Sequence, residues 1–102
     1  MIIKVEKSPL KHKRLQVTMN DGKKYNFGLL GGETYIDHHD ANKRRNYWLR
    51  HYANPIEKIL IDKLIPSPSL FSAYLLWGSH KTLEQNVTEL NNLWKLEHGM
   101  IK

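Results

Sequence analysis

Residues 15–28, Leu15-Gln16-Val17-Thr18-Met19-Asn20-Asp21-Gly22-Lys23-Lys24-Tyr25-Asn26-Phe27-Gly28, carry the pattern of a β-hairpin. Leu15, Val17 and Met19 alternate with Gln16 and Thr18, the period of a half-buried strand. Asn20-Asp21-Gly22-Lys23 is a hairpin turn, because Asn, Asp and Gly tolerate the positive φ that such turns need. Tyr25 and Phe27 resume the alternation on the return strand. Upstream, Ile2, Ile3 and Val5 make a short first run. The basic connection Lys7-Ser8-Pro9-Leu10-Lys11-His12-Lys13-Arg14 separates it from the hairpin, and Pro9 discourages a continuous strand. Residues 1–30 are therefore expected to form an antiparallel β-meander of two or three strands.

Gly28 to Gly32 ends this region. Gly31-Gly32 lacks the Lys-Ser/Thr ending and the spacing of a phosphate loop, and reads as a flexible turn. Beyond it the pattern is helical. His38 and Asp40 lie two apart in a loop, and Asp40 reads as the N-cap of a helix from about Ala41 to Tyr52. Asn54-Pro55 is a second cap, with Pro at the first helical position. Ile56, Ile59, Leu60, Lys63 and Leu64 then form one apolar stripe with an amphipathic edge, closed by Pro66. Ser67-Pro68 opens a short apolar helix through Phe71, Tyr74, Leu75 and Trp77, which Gly78 stops. Thr82-Leu83-Glu84-Gln85 has the form of a capping box. Leu83, Val87, Leu90 and Trp94 then recur at helical spacing, with Asn86, Glu89, Lys95 and Glu97 on the wet side and a tail that frays from Glu97. Trp77 and Trp94 end apolar stripes and are expected in the core. The fold class is α+β: an N-terminal antiparallel β-meander packed by three or four C-terminal helices. The organisation is one small domain over 1–102, with a β-hairpin region at 1–30 and a helical region at 40–97. No repeat, low-complexity segment or linker interrupts it.

The composition narrows the function classes. Sixteen Lys and Arg against ten Asp and Glu give a formal net charge of +6, which favours anionic partners. The absence of cysteine excludes a disulfide scaffold, a thiolate zinc site and a cysteine nucleophile. The start of the chain is charged within four residues and has no apolar run, so no secretory signal peptide is expected. No apolar run approaches the roughly 20 residues of a membrane span. These features are expected of a protein inside a cell, or inside a particle assembled in one.

One stretch is dense in functional side chains: Tyr35-Ile36-Asp37-His38-His39-Asp40, then Lys43-Arg44-Arg45-Asn46-Tyr47-Trp48-Leu49-Arg50-His51-Tyr52. With Ser8-Pro9, Phe27-Gly28, His38 and Asp40, Tyr47, Arg50-His51 and Leu75-Leu76-Trp77, the chain resembles an uncharacterised family of small proteins encoded by large DNA viruses of eukaryotes and by some tailed phages. It departs from that pattern at Gly32-Glu33, where a Gly-Tyr pair is common, and at Pro55-Ile56, where a Trp often follows. The resemblance implies a viral or phage origin and a compact domain; it implies no reaction.

His38, Asp40 and His51 are the right ligand types for zinc or iron. A straight helix from Asp40 carries His51 about three turns away, so the plainer reading is a cap, a turn residue and a helix C-terminal cation. No metal or other cofactor is expected. No Gly-x-Ser-x-Gly elbow and no carboxylate pair at a recognisable spacing points to catalysis. The basic helix is more informative. Arg44, Trp48 and His51 or Tyr52 share one side, and Lys43, Tyr47 and Arg50 the neighbouring one. Aromatic rings between cations can stack on bases or on a protein while Arg and Lys hold phosphates or carboxylates. The alternative divides the rings between core and surface and ties Arg50 to Asp37 or Asp40. The candidate binding residues are Lys11, Lys13, Arg14, Lys43, Arg44, Arg45, Tyr47, Trp48, Arg50 and His51. The expectation is a non-enzymatic, virion-associated structural protein that docks on a capsid protein or on packaged DNA. An intracellular nucleic-acid-binding accessory protein and a small metal-dependent enzyme are the alternatives. No small-molecule substrate and no membrane partner is indicated.

Overall fold

The computed structural model describes residues 1–99. Strands β1 (Ile2–Lys7), β2 (Lys13–Met19) and β3 (Lys24–Leu29) form an antiparallel sheet in the order β1-β2-β3. The meander therefore has its third strand. Val17 stands between Val5 and Tyr25, and Leu15 between Lys7 and Phe27. This register puts Ile2, Val17, Met19 and Phe27 into the core. An irregularity between Ile2 and Lys4 takes Ile3 out of the ladder and leaves it exposed. The turn forms where the Asn-Asp-Gly signal lies, with the Gly22 N–H donating to the Met19 carbonyl at 2.9 Å.

Alternation is broken at Gln16, which is buried like its neighbour Val17. Its amide donates to Asn26 Oδ1 at 3.1 Å, and Ser8 Oγ donates to the same atom at 2.7 Å. A polar cluster thus covers the face of the sheet that simple periodicity assigns to solvent.

Five α-helical segments follow: α1 (Tyr35–His38), α2 (Ala41–Tyr52), α3 (Pro55–Asp62), α4 (Pro68–Phe71) and α5 (Leu83–Gly99). A π-helical turn, Ser72–Leu76, continues α4. Three caps sit where the sequence places them. Asp40 accepts from the Asn42 and Lys43 N–H groups, Asn54 from Ile56 and Glu57, and Ser67 from Leu70. His38, read as a loop residue, ends the helical turn α1 instead. Thr34 and Asp37 form a reciprocal capping box three residues apart, which is enough for one turn.

Two helix faces differ from expectation. On α3, Ile56 and Ile59 point outward, 72% and 52% exposed, while Ile61 is buried. The helix is tied to α2 through Tyr52: its hydroxyl donates to Asp62 at 2.6 Å, and Lys58, which pairs with the same carboxylate at 2.7 Å within α3, stands 5.5 Å from the Tyr52 ring centre. Burial, and then the bond to Asp62, push the Tyr52 hydroxyl up to about 12. On α5, Asn86 is buried rather than wet. Its amide donates to the Leu75 and His80 carbonyls at 3.0 and 3.1 Å and accepts from the His80 N–H at 3.0 Å. α5 runs on to Gly99, and residues 100–102 of the expected frayed tail lie outside the described residues.

The core joins the sheet to α4, the π-helical turn and α5 through Phe71, Leu75, Leu76, Leu90 and Trp94. Phe71 meets the Phe27 ring at 5.8 Å and the Trp94 ring at 6.2 Å. Trp94 is buried as expected, and its indole N–H donates to the Leu64 carbonyl at 2.9 Å. Gly28 lets the sheet approach this layer: its φ is +79°, and a Cβ there would lie 2.9 Å from Leu76 Cδ1. The free edge of β1 is closed by one side chain. Asn91 on α5 accepts from the Ile2 N–H at 2.9 Å and donates to the Ile2 carbonyl at 3.0 Å. Among the described residues no helix is long and apolar enough to cross a membrane.

Candidate binding face

α2 is divided lengthwise. Its inner side holds Arg44, Tyr47, Trp48 and His51, and its outer side carries Asn42, Lys43, Arg45, Asn46, Leu49 and Arg50. The division follows helical geometry: residues three and four apart share a side, and the aromatic ones are drawn inward by the apolar layer beneath.

Tyr47 lies buried on the Trp77 ring, with centroids 4.5 Å apart and planes 6° from parallel. It belongs to a second small core with Ile61 and Ala73. Burial, and then the charge of Glu57, push its hydroxyl above the ordinary tyrosine range. The Trp48 indole N–H donates to the Trp77 carbonyl at 2.7 Å. Arg44 Nε is shared between the Trp77 and Gly78 carbonyls at 3.0 and 2.9 Å, and its guanidinium stands 5.7 Å from the Tyr35 ring centre. These residues bind the end of the π-helical turn to α2. The expected alternation of ring and cation on one contact surface is not what the helix presents. Tyr47 is core, and Arg44 and Trp48 hold the loop at 77–78.

Arg14 is likewise engaged. Its guanidinium meets Asp37 through two bonds of 2.7 and 2.8 Å, and reaches Thr34 Oγ1 at 3.3 Å. The same Asp37 oxygen accepts from the Thr34 N–H and hydroxyl. The Arg14 bonds, followed by those from Thr34, hold the Asp37 carboxyl well below the usual carboxylate range. Asp37 is therefore paired with Arg14, not with Arg50. Asp40 serves α2 as its cap.

His38, Asp40 and His51 are engaged separately. His38 Nδ1 accepts from the Asp40 N–H at 2.9 Å, and its Nε2 is buried without a partner, the ring edge-on to Trp77. His51 Nδ1 lies 3.0 Å from Glu57 Oε1, which also accepts from Ser69 Oγ at 3.3 Å. Among the described residues no three His, Cys, Asp or Glu side chains gather in a metal-binding arrangement. Ser79 and His80 both bond one carboxylate, Glu89, at 2.6 and 3.2 Å. These bonds tie the loop before α5 to that helix.

Lys43, Arg45 and Arg50 remain. All three are exposed, and among the described residues none makes an ion pair. No Asp or Glu occurs between Ala41 and Tyr52. Asn42 and Asn46, which composition and charge gave no reason to single out, share this outer face; the four-residue step between them is the signal that marks it. Lys11 and Lys13 are exposed at the end of the sheet.

Residues 3–51 match a family of unknown function (DUF5754), a stretch from β1 to the last turn of α2. It includes Ser8-Pro9, Phe27-Gly28, His38, Asp40, Tyr47 and Arg50-His51, and stops short of Leu75-Leu76-Trp77. No curated protein and no solved structure matches the chain.

Proposed function

We propose that this chain is a non-enzymatic binding domain of a viral or phage particle, docking on an anionic capsid or packaged-genome surface through the outer face of α2. The observation that carries this reading is the set Lys43, Arg45 and Arg50, exposed on a helix whose turns contain no Asp or Glu, and without an ion pair among the described residues. Three outward cations on one rigid helix give charge complementarity and steer encounter with a polyanion. Asn42 and Asn46 supply hydrogen bonds between them. Tyr47 and Trp48 are turned inward and Leu49 is the exposed aliphatic side chain among these polar groups, so the contact is mainly polar, and the fitting partner is an array of carboxylates or phosphates. Mass spectrometry of purified particles tests the reading. Incorporation of the wild-type chain, and its loss in the Lys43→Ala/Arg45→Ala/Arg50→Ala variant, is the expected result. Absence of the wild-type chain from particles overturns it.

The alternation of Asn and cation along α2 also supports a second reading, an intracellular nucleic-acid-binding accessory protein. Without an exposed aromatic platform, that protein would hold a duplex backbone rather than stacked single-stranded bases. Duplex affinity would fall steeply with salt, and the triple variant would flatten the log–log slope by about 3. A titration showing no duplex binding at low salt removes this reading.

A further inference from the structure

The sheet has a second exposed surface, built from three leucines and four basic side chains. Leu10, Leu29 and Leu30 are 51%, 69% and 52% exposed. Their backbone segments are neighbours. The Lys13 N–H donates to the Leu10 carbonyl at 3.3 Å, the Leu30 N–H donates to the His12 carbonyl at 3.1 Å, and Lys13 stands opposite Leu29 in the ladder. Lys7, Lys11, His12 and Lys13 are exposed around them. The turn is held rigidly, since Ser8 Oγ accepts from the Leu10 N–H at 3.1 Å while donating to Asn26.

The charge here is predominantly positive. Residues 7–14 and 28–32 contain no Asp or Glu. Of the acids near this end in sequence, Glu6 pairs with Lys4 and Asp37 is occupied by Arg14, and Glu33, three residues beyond Leu30, is exposed. Three leucines gain nothing from water or from a phosphate backbone, and exposed aliphatics on neighbouring segments of a small domain mark an apolar contact. The lysines beside them repel a second copy of this surface and favour negative charge next to it.

From this combination we propose that the sheet end at Leu10, Leu29 and Leu30 docks on the surface of an anionic lipid bilayer. The leucines enter the headgroup–acyl boundary, and Lys7, Lys11 and Lys13 lie at headgroup level with their aliphatic stems flattened on the surface. Each contribution is weak alone; apolar insertion and a basic cluster together make a reversible peripheral anchor.

The test is flotation of the full chain with phosphatidylcholine vesicles, with and without phosphatidylserine, at low ionic strength. The wild type is expected to float with the phosphatidylserine vesicles and to remain below with phosphatidylcholine alone. Leu29→Ser/Leu30→Ser and Lys11→Ala/Lys13→Ala should each lower partitioning on the order of tenfold. Lys81→Ala/Lys95→Ala removes the same charge from exposed sites elsewhere and should partition as wild type. All substituted positions are exposed, and circular dichroism verifies their folding. Failure of the wild type to float, wild-type partitioning by the leucine variant, or an equal loss in the Lys81/Lys95 control each overturns the proposal. So does a sedimentation experiment in which the leucine pair proves to hold two copies of the chain together.

Discussion

Gly78 passes so close to Asn86 that a Cβ at position 78 would lie 2.6 Å from Asn86 Oδ1 and 2.1 Å from the Tyr74 carbonyl oxygen. The contact explains why the π-helical turn ends where it does. The Gly78 backbone fills the space beside Asn86, while its own carbonyl accepts from Arg44. Gly78→Ala forces backbone to move, since Tyr74 O cannot rotate away. Chemical denaturation should show a loss of about 2–4 kcal/mol, near the upper range of overpacking costs.

Asn86 itself holds three backbone groups, the Leu75 carbonyl in a buried bond and the two polar groups of His80 in part-buried ones. Asn86→Ala would leave the Leu75 carbonyl and both polar groups of His80 without that partner. A loss of about 2–3 kcal/mol follows from buried groups left unsatisfied. Asn86→Leu, close in volume, should not restore it. Urea midpoints of the two variants test this; a leucine variant as stable as wild type would refute it.

Acid should weaken the attachment of α1 to the sheet. The folded Asp37 carboxyl is held below its unfolded value, about 3.9, chiefly by the Arg14 bonds. A depressed carboxylate contributes stability that is present above the unfolded pKa and lost as pH falls toward the folded one. Stability should therefore decline as the medium is taken below about pH 4. Asp37→Asn should cost about 1 kcal/mol at neutral pH, allowing for screening of a partly exposed pair. It should also flatten the acid limb of the stability profile, measured by urea melts across pH.

Arg44 and Trp48 share the Trp77 carbonyl, so their substitutions should not add. Trp48→Phe keeps most of the ring and removes one donor, at about 1 kcal/mol. Arg44→Met removes the other donor and frees the Gly78 carbonyl, at about 1–3 kcal/mol. A double-mutant cycle in chemical denaturation should show coupling of at least about 0.5 kcal/mol; strict additivity would mean that the shared acceptor is energetically unimportant.

The two sides of α2 should separate cleanly in stability. Lys43→Ala, Arg45→Ala and Arg50→Ala should each change stability by no more than about 0.5 kcal/mol, as exposed unpaired residues do. Tyr47→Ala should cost about 3–4 kcal/mol through loss of its packing on Trp77. Thermal melts of the four variants decide the matter.

How far each feature could be read depends on the range of the interaction that creates it. The hairpin turn at 20–23 and the caps Asp40, Asn54 and Ser67 were legible because donor and acceptor lie within a few residues of each other. The extent of α2, Ala41–Tyr52, followed from its cap and its pattern. The Thr34–Asp37 box obeys the same local rule, but Thr34 precedes no apolar run, the pattern that marks a helix start in a sequence. Asn86 shows the opposite limit. Its polar side chain reads as solvent-facing, and only the π-helical turn and the His80 loop, brought against it from elsewhere, supply the partners that make its burial favourable.

From the order of its residues alone, the chain determined its strands, its helices and their ends, because turn geometry and capping are settled between near neighbours. Which way each element faces was left to the assembled molecule. Arg14 finds Asp37, Tyr47 finds Trp77, and Ile56 and Ile59 are turned outward. Those outcomes depend on packing and desolvation between segments far apart along the backbone, where periodicity carries no information about the partner.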